Sequence, residues 1–150
     1  MSDLDAIDEK ILRELLRNAR RSNLDLADHV GLSPSACLRR VQELERSGVV
    51  TGYRAVLDRD KIGIGFLAYV TVSLSNHTKS AQRDFEIAMA AARQVRECHN
   101  VAGAFEYLLR VEVADLRAYK QFHTDVLGTK PQVDSITTYV VMESPKDERG

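Results

Sequence analysis

Residues 30–35, Val30-Gly31-Leu32-Ser33-Pro34-Ser35, stop one helix and start another within a few residues. Gly31 can take the positive φ that closes a helix. Ser33 is a good N-cap, and Pro34 suits the first helical position, where its missing N–H costs nothing. Apolar residues recur at helical spacing on both sides: Leu24, Leu26, Ala27 and Val30 before the turn, Cys37, Leu38, Val41 and Leu44 after it. Leu32, inside the turn, is expected to plug inward. The third helix should run from Pro34 to about Ser47, with Gly48 as its stop. Upstream, Ile7, Ile11, Leu12, Leu15 and Leu16 make a first stripe, capped by Asp5 and ending near Asn18. Ser22 or Asn23 caps the short second helix. Short helix, glycine turn and next helix have the spacing of a helix-turn-helix.

The third helix has two faces. At about 100° per residue, Cys37, Leu38, Val41 and Leu44 fall on the core side. Ser35, Ala36, Arg39, Glu43 and Arg46 fall opposite, with Arg40 and Gln42 flanking. A recognition helix needs small or polar residues at its N-terminal end, so that its backbone can enter the major groove. It also needs arginines to read guanine or clamp phosphate. Ser33, Ser35, Ala36 and Arg39 are the candidates for base contact, and Arg40 and Arg46 for phosphates. Arg21 and Arg54 extend the basic set. Between Arg17 and Arg54 the bases are Arg17, Arg20, Arg21, Arg39, Arg40, Arg46 and Arg54, against Asp25, Asp28, Glu43 and Glu45. The whole chain has a formal net charge of -1, so any footprint on nucleic acid must be local. The same arginines are also what a solvated helix face would carry. Cys37, on the core side, reads as a small buried hydrophobe rather than a redox switch.

After Gly48 the apolar period changes. Val49, Val50, Thr51, Tyr53, Ala55, Val56 and Leu57 are strand-like, which predicts a two-stranded wing interrupted at Thr51-Gly52. Asp58-Arg59-Asp60-Lys61 is a charged connector, and the domain boundary is placed near Ile62, giving units 1–62 and 63–150. The second half reads as strand 66–74, helix 80–93, strands 95–101 and 107–113, helix 115–127 and strand 133–142. Gly128 ends the second helix, and 144–150 is a polar tail. This βαββαβ order is that of a ferredoxin-like α+β fold. Its uncovered sheet face is expected to carry apolar and aromatic side chains, buried against a second copy of the chain.

The connection Gly103-Ala104-Phe105-Glu106 joins the two central strands. Its N–H groups can hold a carboxylate and Glu106 an ammonium group. From spacing alone, a plain hairpin with a solvated Glu is the favoured reading. Cys98 and His99, adjacent on a strand, point to opposite faces and cannot easily act as a nucleophile pair. There is no CxxC, no Cys/His cluster and hence no expected metal or cofactor. The start, Met1-Ser2-Asp3-Leu4-Asp5, is acidic and lacks a signal core, and no apolar run spans a bilayer. A soluble cytoplasmic protein is expected, with no membrane contact.

The run Leu4-Asp5-Ala6-Ile7-Asp8, the turn at 30–35 and the stretch Arg39 to Gly48 resemble the Lrp/AsnC family of regulators. So do Gly52-Tyr53, Glu97-Cys98-His99, Tyr107-Leu108-Leu109 and Thr138-Tyr139-Val140-Val141-Met142. The resemblance implies a transcriptional regulator of amino-acid metabolism, not an enzyme, that binds double-stranded DNA. It implies a homodimer paired through the C-terminal domain and assembled further, commonly to an octamer. It also implies an amino-acid effector between the sheet domains of neighbouring subunits, held by Gly103, Ala104, Phe105 and Glu106 with Thr138, Tyr139 and Val140. Two departures stand out. The family usually has an acid where this chain has Ala104, and Pro-Gly-Val where this chain has Pro131-Gln132-Val133. Two rival readings are a protein-binding winged-helix adaptor and a haem-pathway decarboxylase. The first calls for an exposed apolar stripe on the third helix, the second for a basic pocket with a convergent acid–base set.

Overall fold

The computed structural model describes residues 4–148. Met1-Ser2-Asp3 of the acidic start and Arg149-Gly150 of the tail lie outside the described residues. The chain divides into two compact units, one up to Val56 and one from Leu57.

The first unit holds α1 (Ala6–Arg17), α2 (Asn23–Val30) and α3 (Pro34–Arg46). Asp5 caps α1 by accepting from the Ile7 and Asp8 amides, and Asp8 returns the bond to the Asp5 amide. Ser22 caps α2 and Ser33 caps α3, with Pro34 in its first turn. Gly31 closes α2 at φ 78°, a conformation in which a Cβ is strained. Ile11, Leu26, Ala27, Val30, Cys37 and Leu44 form the core, with Ile7, Leu12, Leu15, Leu32 and Val41 packed around it. Cys37 is fully enclosed, and burial pushes its thiol pKa up. Two residues of the expected stripes leave the core. Leu16 is 88% exposed in the last turn of α1, and Leu38 is 46% exposed on α3. Leu38 sits roughly a quarter-turn from the line through Cys37, Val41 and Leu44.

The expected two-stranded wing is not built. Val49 and Val50 pack on the helical core, but among the described residues 51–65 form no strand ladder. A ladder needs a second strand bonded alongside, and residues 49–57 are paired with none. The Tyr53 hydroxyl instead donates to Glu45 Oε1 (2.7 Å), which ties the segment to the end of α3.

The second unit contains β1 (Phe66–Leu74), α4 (Lys79–Ala91), β2 (Val95–Asn100), β3 (Tyr107–Val113), α5 (Leu116–Phe122) and β4 (Val133–Val140). The strand order is β2-β3-β1-β4 with every neighbour antiparallel, the ferredoxin-like arrangement. Ala68, Val70, Val72 and Leu74 of β1, with Tyr107, Leu109 and Val111 of β3, pack against Phe85, Met89, Phe122 and Leu127 from the helices. Phe85 meets Tyr107 at 4.6 Å between ring centroids, and Phe66 stacks on Tyr119 at 5.1 Å. The last turn of α5 widens into a π-helix, His123–Leu127, closed by the Gly128 amide donating to the His123 carbonyl (2.8 Å). A Cβ on Gly128 would lie 2.9 Å from the Thr124 carbonyl oxygen, so the wide turn demands glycine.

The open sheet face departs from the expectation of an apolar surface. Register places Leu67, Tyr69 and Thr71 of β1 beside Glu112, Arg110 and Leu108 of β3. Arg110 is buried there and its guanidinium lies 2.5 Å from Glu112 and 3.7 Å from Asp147. Arg59 meets Asp147 at 3.3 Å and Glu112 at 3.6 Å. The connector and the tail thus reach this face through charge, which the alternation of β1 alone did not reveal.

Candidate functional site

The outer row of α3 begins at the cap. Ser33 Oγ accepts from the Ala36 amide (3.3 Å) and lies 3.4 Å from Ser35 Oγ. Ser33 and Ser35 are exposed and Ala36 half-buried, so the first turn presents small groups and backbone. Asn23, which the sequence marked only as a cap, donates from Nδ2 to the Pro34 carbonyl (2.8 Å) and fixes the start of α3 against α2. No sequence pattern signals that bond, which spans eleven residues. Arg39 and Arg54 are exposed, and neither has an ion pair among the described residues.

Three other arginines of the expected DNA-binding set are engaged within the unit. Arg40 bonds Asp5 (2.6 Å) and Asp8 (3.0 Å), joining α3 to the cap of α1. The Asp8 backbone bond and the Arg40 guanidinium hold the Asp5 carboxyl below its usual range. Arg21 lies between Glu14 (3.0 Å) and Asp25 (2.9 Å) with its side chain 16% exposed. In this fold Arg21 and Arg40 thus act as struts between helices, and a contact of either with DNA would have to compete with these ion pairs. Arg46 is exposed and chelates Glu43 at 2.9 and 2.6 Å through Nε and Nη2, which leaves its other guanidinium N–H groups for a phosphate.

In the second unit the loop after β2 behaves as more than a solvated hairpin. The Leu74 amide donates to Glu106 Oε2 (2.8 Å), and Glu106 Oε1 lies 3.3 Å from His77 Nδ1. Gly103 (φ 158°) faces open space, Ala104 is exposed and Phe105 half-buried. Thr138 exchanges a hydrogen bond with the Tyr119 hydroxyl, while Tyr139 and Val140 are exposed. These two groups are not brought together. The loop adjoins the Val72↔Tyr107 end of β1, whereas Val140 pairs with Ala68 at the other end. Thr138 pairs with Val70, so two to four residues of strand separate the groups along β1, roughly 7–13 Å. The faces differ too, with Tyr139 on the open side and Thr138 and Val140 on the helix side. An open recess of about 740 Å³ between the end of α4 and α5, lined by Arg93, Val95, Phe122 and Asp125 among others, includes none of the seven.

Cys98 and His99 point apart as expected. Cys98 turns to the helix side, where burial and the Glu86 charge push its thiol up to about 11. His99 pairs with Glu97 at 3.2 Å. No helix among the described residues is long and apolar enough to cross a membrane.

Residues 4–51 match the family model for a winged helix-turn-helix DNA-binding domain, and residues 67–150 match that for the Lrp/AsnC ligand binding domain. The chain belongs to the Lrp/AsnC family. Its relatives in this family include the leucine-responsive regulatory protein of Haemophilus influenzae, 44% identical over 95% of this chain and 86% of that one. The proline dehydrogenase transcriptional activator of Rhizobium radiobacter is 39% identical over 97% of this chain and 93% of its own. Among solved structures, a transcriptional regulator of Neisseria meningitidis in complex with L-Met superposes with a TM-score of 0.92 at 34% identity, covering 96% of this chain and 93% of that one. An AsnC family transcriptional regulator from Agrobacterium tumefaciens reaches 0.91 at 30% identity, covering 96% and 94%. This Lrp/AsnC chain is thus a DNA-binding transcriptional regulator with a ligand-binding domain.

Proposed function

We propose that this regulator reads its operator with Ser33, Ser35, Ala36 and Arg39, and changes its grip on DNA when an amino acid binds the second domain. One observation carries the DNA half. The outer row of α3 leaves Arg39 without an internal partner beside a small, capped first turn, while Arg40 is consumed within the fold. That turn lets the backbone approach a base-pair edge, and Arg39 can then reach guanine. Arg46 and Arg54 supply phosphate contacts. Residues 1–62 carry the DNA-binding work, and 63–150 the pairing and sensing.

The effector reading rests on the resemblance of the loop and on named relatives. The Haemophilus protein is called leucine-responsive and the Neisseria regulator holds L-Met. In this chain the amides of Gly103 and Ala104 would face the effector's carboxylate, with Phe105 beside it and Glu106 toward its ammonium group. Thr138, Tyr139 and Val140 would come from a neighbouring chain, which accounts for their distance from the loop within one chain. Ala104 leaves Glu106 as the carboxylate of this loop, so the preferred amino acid need not be that of the relatives. The working form is a cytoplasmic homodimer, assembled further to an octamer, controlling genes of amino-acid metabolism. A dimer presents its two α3 helices to successive major grooves, about 34 Å apart. By linkage, DNA that favours one assembly must shift effector affinity by the same factor.

The test is a fluorescence-anisotropy titration against DNA upstream of the protein's own gene and against fragments selected from the genome. Random duplex serves as the control, over a range of salt and a panel of amino acids. Salt-sensitive binding that prefers one sequence and moves with one amino acid is expected. Absence of any preference among selected fragments would overturn the DNA reading. Specific binding indifferent to every amino acid would overturn the effector reading alone.

A further inference from the structure

Leu38 is an apolar side chain on a polar surface. It is 46% exposed and does not join the helical core, although Cys37 beside it is fully enclosed. On α3 its neighbours one turn away are Pro34 and Ser35 before it and Val41 and Gln42 after it, so it stands between the core-packed Val41 and the polar Ser35 and Gln42. It therefore borders the row that ends in Arg39. Leu16 and Leu24 are also exposed, but they lie on α1 and α2. In the major groove the base edges display donors, acceptors and a single kind of apolar group, the C5-methyl of thymine. A leucine at this place cannot hydrogen-bond to a base, and beside a polar edge it would strip water without return. Against a methyl it loses water favourably.

We propose that Leu38 reads a thymine methyl in the operator, next to the base contacted by Arg39. The inference rests on the reading of α3 as the helix in the major groove. It adds a specificity contact that helical periodicity had assigned to the core.

The test uses the full chain and an operator selected from a random duplex pool. Each thymine is replaced in turn by deoxyuridine, which removes the methyl and keeps base pairing. The parent protein should lose about fourfold in affinity at one position, the worth of one methyl-sized group leaving water. Leu38→Ala should bind the thymine and uracil forms of that position equally, while Leu38→Met keeps the difference. The alanine side chain suits an exposed helix position, so the variant should fold. Circular dichroism and a melting curve check this. Arg39→Ala is the control for groove entry. No uracil penalty at any position in the parent protein, or one of equal size in Leu38→Ala, would overturn the proposal. If Arg39→Ala abolishes discrimination while Leu38→Ala changes nothing, α3 stays in the groove and only the methyl contact falls. If neither variant alters discrimination, the reading of α3 falls with it.

Discussion

Arg39 and Arg40 are adjacent, yet a step of about 100° along α3 sends one to solvent and the other to Asp5 and Asp8. Their substitutions should separate accordingly. Arg39→Ala should cost about 1–3 kcal/mol of discrimination between operator and random DNA, if its contact is bidentate. Arg46→Ala should weaken all sequences alike and reduce the salt slope by about one. Both follow from anisotropy titrations at several salt concentrations. Arg40→Ala should instead lower the melting temperature, because it strands two carboxylates. Asp5 has a lowered pKa, so its contribution is present above the usual carboxylate value of 3.8 and disappears as pH falls through the lower folded value. Asp5→Asn should lower stability at pH 7 and flatten the loss of stability on acidification below the usual carboxylate value, read from melting temperatures. None of this was legible from charge counting, which treats every arginine near a helix-turn-helix alike. Which of them is spent inside the fold depends on the crossing of α1 and α3, and one helix's own periodicity does not contain that crossing.

Caps, turns and long strands are written in local residue chemistry, and they were readable. Asp5, Ser22, Gly31, Ser33 and Pro34 act where their side chains or φ preferences place them, and β1 runs from Phe66 to Leu74 as its alternation predicts. Elements that need a partner or a wider helix were not. Residues 51–57 have strand propensity but no returning strand, so propensity alone overstated the wing. The π-helical turn His123–Leu127 differs from an α-helix by less than one residue per turn, too little to register in five residues. Gly128→Ala tests it: the Cβ must displace the Thr124 carbonyl, at about 1–3 kcal/mol, measured by urea unfolding. Phe85→Ala should cost more, about 3–5 kcal/mol, because the ring is fully buried between α4 and β3. Both variants should melt lower without altering which DNA sequence is preferred.

For the whole molecule, the order βαββαβ was enough to foresee the β2-β3-β1-β4 sheet, since short connections and antiparallel pairing leave few alternatives. The candidate effector site was harder, because its two halves flank β1 on different strands and are offset along it by two to four residues. A site divided between copies makes a distinctive prediction. Glu106→Gln and Tyr139→Ala should each abolish the effector's influence on DNA binding. Mixed and reassembled, they should restore part of it, because some sites then draw an intact loop from one chain and an intact strand from another. No recovery in the mixture would place the whole site within a single chain.

The Arg59–Arg110–Glu112–Asp147 cluster on the open sheet face bears on a problem any cell with several similar regulators must solve. Purely apolar faces of similar shape would associate with little regard to identity. A buried arginine tolerates dehydration only where its acids keep their places. Here the acids sit in the same chain as the arginines, so each copy carries its own neutralised but polar patch, which under the proposed pairing a partner would have to match in shape and hydrogen bonding. If the proposed homodimer pairs through this face, the patch would favour copies of the same chain over relatives whose charges lie elsewhere.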